Sequence, residues 1–230
     1  MKLQGQISES LRLNAILSFS GGLQDAYSYN VRGQVFANAQ TGNVVLMSQH
    51  FLKGEVLDAL RYLLPVFFFM LGILVTEKLG FRYKYARRLH WRQAVLLVEV
   101  ALLALVGFLP PEWNMLANML VSFTCAMQVQ AFRKVRGYAY SSTMCIGNLR
   151  SGTESLSQFL RDRKREELYR ALHYFGMILV FALGAGAGGV LSGVLGIRTI
   201  WVSALLLLLD CGFMGQKPEG QNVQQEGGGV

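Results

Sequence analysis

The sequence predicts an all-α integral membrane protein with six transmembrane helices, two re-entrant, broken half-helix segments and a 3+3 inverted repeat. Three observations carry this expectation. Apolar runs of membrane-crossing length recur along the chain, basic residues fall in only some of the connections, and two amide-rich segments are too polar to be ordinary spans. The composition agrees: of 230 residues 52% are hydrophobic and 16% charged, with a mean hydropathy of +0.33. That balance lies outside the range of ordinary soluble globules.

The formal net charge is +8, and its placement is more informative than its size. Basic residues cluster between the apolar runs and build no stripe on a polar fold, so no nucleic-acid partner is expected. Loops rich in Lys and Arg are what the positive-inside rule places in the cytoplasm. Cys125, Cys145 and Cys211 are odd in number and far apart, with neither zinc-site spacing nor a disulfide framework. They read as small buried hydrophobes, and no metal or other cofactor is expected.

Taken in order, MKLQGQISESLRLNAILSF carries Glu9 and no small-residue cleavage site, so it reads as a retained cytoplasmic start. Spans follow at 14–30, 60–77, 93–110, 115–132, 171–191 and 194–212, each about the roughly 17–25 residues a crossing helix needs. FRYKYARRLHWR, with Arg82, Lys84, Arg87, Arg88 and Arg92, is cytoplasmic, whereas LPPEWN at 109–114 has no Lys or Arg and faces outward. FRKVRG (Arg133, Lys134, Arg136) and RDRKREELYR at 161–170 are both cytoplasmic, so the segment 138–160 between them enters and leaves by one face. The same logic makes 34–53 dip from the outer face and puts both termini inside. Trp91 and Trp113 mark the interfaces around the third span. The two membrane repeats are then 1–112 and 113–214, followed by a polar, glycine-rich tail at 215–230 that is expected to be disordered.

A weak internal match supports the repeat. At a constant offset Asp25-Ala26-Tyr27 meets Gln130-Ala131-Phe132, and Thr41-Gly42-Asn43 meets Ile146-Gly147-Asn148. Val31-Arg32-Gly33 matches Val135-Arg136-Gly137 one residue out of step. With three spans per half the second copy is inverted, an arrangement that in transporters puts the binding site between the halves. Non-helical backbone cannot face lipid and is tolerated only where protein or a wet cavity encloses it. Residues 34–40 are therefore expected to run in extended, with a helix starting near Thr41-Gly42-Asn43 and a second near Met144 to Asn148. Thr and Asn suit a helix start, and free N–H groups at the positive dipole end attract electronegative atoms. The expected solute-binding residues are Asn38, Gln40, Thr41, Gly42, Asn43, Gly147, Asn148 and Arg150.

Two carboxylates complete the expected site. Asp25 carries a coupling proton, pairs with Arg32 or Arg150, or bonds the broken backbone; Glu99 neutralises Arg150 or lines the same path. Arg150, in the first turn of the second half-helix, is poorly placed for the dipole and points to a nearby carboxylate or anionic solute. Asp210 is expected to reach an interface, and His173 and Tyr174 to anchor one. GAGAGGVLSGVLG, Gly184 to Gly196, is a small-residue packing face, serving internal helix packing or a homodimer.

GGLQDAYSYNVRGQVFANAQTGNVVL resembles the signature of the bacterial YoaK-like family of multi-pass inner-membrane proteins. The Gly-x-x-Asp-Ala pattern at Gly22–Ala26 and the Phe-x-x-x-x-Thr-Gly-Asn pattern at Phe36–Asn43 carry the likeness, which extends through Gly147-Asn148 to the last two spans. The resemblance implies a bacterial inner-membrane location and supplies no substrate, the family being of unknown function. Where the first half has Thr41, the second has Ile146, so a hydroxyl is not shared by both. The expected function is a transporter or channel for a small polar or anionic solute, its partners being the lipid bilayer and that solute. The alternatives are a non-transporting scaffold or sensor and an intramembrane enzyme. Neither a His-Glu-x-x-His nor a Gly-x-Ser-x-Gly motif is present, so no enzyme is expected.

Overall fold

Rich in Leu, Ala and Met and nearly free of proline, the apolar runs have the composition of continuous helices. A computed structural model describes residues 11–83, 91–135 and 138–215 of the chain. It contains α1 (Leu11–Val31), α2 (Gln40–Leu52), α3 (Val56–Tyr83), α4 (Trp91–Val106), α5 (Asn114–Ala131), α6 (Cys145–Asp162), α7 (Arg165–Leu195) and α8 (Ile200–Gly215). The six apolar runs fall on α1, α3, α4, α5, α7 and α8, while the two amide-rich segments contribute irregular chain followed by α2 and α6. Lys134–Val135 pairs antiparallel with Tyr138–Ala139, a two-residue ladder that the helical expectation omitted.

Several boundaries differ from expectation. The stretch 161–170 is not a loop, because α6 runs to Asp162 and α7 begins at Arg165. Arg163, in the left-handed conformation at φ 55°, makes the turn. At its other end α7 stops at Gly196, also at positive φ, and the 3-10 turn Gly196–Thr199 leads into α8. α4 ends at Val106, short of residue 110, where Gly107 and Pro110-Pro111 interrupt the run. Lys2, Glu9, Lys84, Arg87, Arg88, Arg136 and the tail beyond Gly215 lie outside the described residues.

Four helices form the centre. Leu13, Leu17 and Tyr27 of α1, Val95, Leu96 and Leu103 of α4, Ala117 and Val121 of α5, and Ile200, Ala204 and Leu207 of α8 make one buried apolar cluster. Outside this layer α7 packs on α1 and carries α6, while α3 packs on α5 and carries α2. α4 contacts α5, α8 contacts α1, and α4 and α8 meet each other. Exchanging α1 with α5, α2 with α6, α3 with α7 and α4 with α8 leaves this set of contacts unchanged.

Glycines set the two tightest helix pairings. A Cβ at Gly184 of α7 would lie 2.1 Å from the Phe19 carbonyl oxygen of α1, and one at Gly72 of α3 would lie 2.5 Å from the Phe123 carbonyl oxygen of α5. Only a missing side chain lets the backbones approach so closely. The small-residue face at Gly184 and Gly188 therefore serves internal packing against α1.

The outward faces are apolar. Leu57, Phe81, Phe108, Ile146, Val190 and Val194 are among many large hydrophobic side chains left exposed. Two stretches, Val56–Tyr83 and Arg165–Met214, are long and apolar enough to cross a membrane.

Candidate functional site at the two broken segments

Both amide-rich segments fold inward and meet α1 at one residue. In the first, the Asn38 side-chain amide donates to the Gly21 carbonyl at 3.1 Å. In the second, Thr143 packs against Gly21, its Cγ2 lying 2.6 Å from where a Cβ would stand. Asn38 and Thr143 are both buried. The two breaks thus converge about halfway along α1, one helical turn from Asp25.

Asp25 organises the first break. Its Oδ1 accepts the Asn38 backbone N–H at 3.0 Å, and the carboxylate also takes the N–H of Ala39, the residue capping α2. A carboxylate at a helix N-terminus satisfies orphan donors and complements the dipole. Expected pairings of Asp25 with Arg32 or Arg150 are not formed. The buried Arg32 guanidinium instead donates to the carbonyls of Val106 at 2.8 Å and Leu109 at 2.9 Å, to Asn114 Oδ1 at 3.0 Å and to Tyr27 Oη at 2.6 Å. It caps the end of α4, where carbonyls lack helical partners. Arg150 is exposed on α6 and is not paired with Glu99.

The motif Phe36–Asn43 closes the loop on itself. Asn43 Nδ2 donates to the Phe36 carbonyl at 2.6 Å and to Gln40 Oε1 at 3.1 Å, while Gln40 Nε2 donates to the Ala37 carbonyl at 2.7 Å. The Phe36 ring stacks on Tyr29 and lies beneath Gly42. α2 starts at Gln40 with no side-chain cap, so Asn43 acts as a donor to the loop and not as the expected helix cap, and Thr41 is exposed. The second segment repeats the device: Asn148 Nδ2 donates to the Ser141 carbonyl at 2.8 Å, seven residues back as in the first. Its cap, Met144, has φ −102° and ψ 85°, close to the −89° and 73° of Ala39. Gly147 is exposed.

Each loop is also held by a helix remote from it in sequence. Ser122 Oγ on α5 donates to the Ala37 carbonyl of the first loop at 2.5 Å. Ser18 Oγ on α1 donates to the Ser142 carbonyl of the second at 3.1 Å and also bonds Tyr140. Gln128 on α5 joins in, donating to Ser142 Oγ at 2.6 Å. Gln130, which sequence alignment set opposite Asp25, instead bonds Glu77 on α3. Serines on α1 and α5 carry no motif that sequence reading had flagged; their spacing of 104 residues, one short of the loop offset, was the available signal.

Around the convergence point, Asn38 Oδ1, Asn43 Oδ1 and Gln128 Oε1 are buried acceptors with no donor among the described residues. With the Asp25 carboxylate they make this region acceptor-rich. The first helix start, expected to be free, already holds the Asp25 carboxylate. Glu99 and Asp210 lie elsewhere, on α4 and α8, both fully buried. A surface group of His50, Glu55 and Asp58 has ligand atoms within 4.8 Å of one another. His50 and Glu55 bond each other and Asp58 pairs with Arg61, which accounts for it as a polar knot on the α2–α3 turn.

A family model described as a protein of unknown function (DUF1275) matches residues 13–212. No curated protein and no solved structure matches the chain.

Proposed function

The chain belongs to the DUF1275 family, which has no assigned function, and from that premise we propose that it is a multi-pass inner-membrane transporter for a small polar solute. The membrane placement follows from the apolar exterior and from helices in the six positions where charge sorting puts spans. α2 and α6 are then half-helices that leave the bilayer by the side they entered. The exchange symmetry of the helix contacts, the twin Asn-to-carbonyl closures and the reciprocal serines support two related halves, and three crossings per half invert the second. α4 and α8, at 16 residues each, are short for a crossing and are completed by their flanking turns.

The observation that carries the proposal is the meeting of both breaks at Gly21 beside Asp25. Irregular backbone is costly inside a bilayer, and transporters retain it where a solute is bound. The unpartnered acceptors there favour a neutral or cationic solute presenting N–H or O–H donors. In the conformation described the tips are packed shut, so passage requires them to part. Because Asp25 holds Asn38 and Ala39, a proton on Asp25 removes the charge from those bonds and loosens the first tip. Proton coupling through Asp25 is part of the proposal.

Osmotic swelling of proteoliposomes tests it, since the assay reads entry of urea, glycerol and neutral amino acids without labels. Entry of at least one solute faster than in protein-free vesicles, and altered by Asp25→Asn, is the expected result. Permeability equal to that of empty vesicles for the whole panel contradicts it. The closed, mutually bonded tips favour a second reading, a membrane scaffold in which the breaks only shape the bundle. That reading expects the empty-vesicle result with a folded protein.

A further inference from the structure

Glu99 stands apart from the loop tips and has an unmet electrostatic need. It lies in the middle of α4 with 0% exposure, and among the described residues neither of its oxygens has a partner in good hydrogen-bond geometry. No ion pair among the described residues includes it. Its surroundings are polar on one side. Gln24 of α1 is the neighbouring polar side chain, with Asp210 of α8 and Cys125 of α5 in electrostatic reach. Gln24 Nε2 donates to Ser20 Oγ at 3.2 Å and to Ser203 Oγ at 2.9 Å, and the two hydroxyls bond each other at 2.6 Å. All three of these side chains are buried.

A carboxylate taken out of water without a partner costs several kcal/mol, and intramembrane acids pair or mark ion paths. Here Gln24, beside the carboxylate, is bonded to hydroxyls of α1 and α8, and no Lys or Arg pairs with Glu99 among the described residues. We propose that α1, α4 and α8 form a binding site for one monovalent cation, with Glu99 supplying the charge and Ser20, Ser203 and Gln24 the neutral oxygens. A single positive charge balances the Glu99 carboxylate in a low-dielectric interior. Na⁺ and a proton share this chemistry. The site adjoins the loop tips through the consecutive residues Gln24 and Asp25, but it does not depend on the transport reading, because binding is measured on the purified protein.

The test is thermal unfolding in detergent, in two arms. One replaces choline with Na⁺ at constant pH and ionic strength; the other varies pH from about 5.5 to 8.5 in choline alone. Site occupancy raises the wild-type midpoint by several degrees in the Na⁺ arm, if the ion is Na⁺, or on acidification, if it is a proton. Glu99→Gln, of the same shape and uncharged, loses that response, and Asp210→Asn keeps it. Should Glu99→Gln fail to fold, Ser203→Ala leaves the carboxylate in place and is expected to shift the Na⁺ or pH midpoint of the response about threefold or more. A wild type that responds in neither arm overturns the proposal. So does a Glu99→Gln protein that responds as wild type does, a response abolished by Asp210→Asn, or an unshifted Ser203→Ala midpoint.

Discussion

Asp25 accepts the backbone N–H of Asn38 at 3.0 Å, joining the middle of α1 to a loop thirteen residues later. That bond explains two features of the sequence together: an acid within an apolar run, and amide-bearing chain that ought to be exposed and is buried. The acid supplies acceptors the loop backbone lacks. Removing it should open the first break. Asp25→Ala leaves the Asn38 and Ala39 N–H groups without their acceptor, at about 1–3 kcal/mol for each buried orphan. Asp25→Asn keeps a neutral acceptor and costs about 1 kcal/mol. Thermal unfolding should rank wild type, Asn and Ala in falling order; an Ala variant as stable as wild type would deny Asp25 this role.

The serines hold loops distant from them in sequence. Ser122→Ala should loosen Ala37 and its neighbours, and Ser18→Ala should loosen Ser142 and its neighbours, each by about 1 kcal/mol. Hydrogen exchange by mass spectrometry reads this directly. Faster exchange is expected near 36–40 in the first variant and near 141–145 in the second. Each variant loosening the loop of its own half would contradict the crossed arrangement.

Gly184 and Gly72 occupy matching places in the two outer pairings. Alanine at either forces α7 from α1, or α3 from α5, at about 1–3 kcal/mol, and valine at Gly184 should prevent assembly. Size-exclusion chromatography of the purified variants checks this. Gly193, with open space around it, is the control and should accept alanine unchanged.

Arg32→Lys keeps the charge but not the planar fork that reaches Val106, Leu109 and Asn114 together. A loss of about 2 kcal/mol is expected, visible as a lower unfolding midpoint. An unchanged midpoint would mean that the end of α4 is satisfied without the guanidinium.

Helix positions were legible in the sequence because each apolar run is long enough to have one outcome, and α2 and α6 because their polar starts interrupt that pattern. The pairing of loops was not. The Asn43 and Asn148 amides close their own loops, a choice set by the distance to the Phe36 and Ser141 carbonyls that only folding fixes. Arg32 looked like a partner for Asp25 because both are charged and close in sequence. The helix end at Val106, 74 residues on, offered it carbonyls instead. Ser18 and Ser122 offer only their spacing of 104 residues as a signal, since a serine in an apolar helix usually bonds its own backbone.

The central claim is that the two broken segments leave the bilayer on opposite sides. It is tested by replacing Gly54, in the turn after α2, and Arg163, in the turn after α6, singly with cysteine in a background lacking Cys125, Cys145 and Cys211. A membrane-impermeant maleimide is then applied to inverted and right-side-out vesicles. The account predicts that the residue-54 thiol reacts only in right-side-out vesicles and the residue-163 thiol only in inverted ones. Labelling of both from the same side would contradict it.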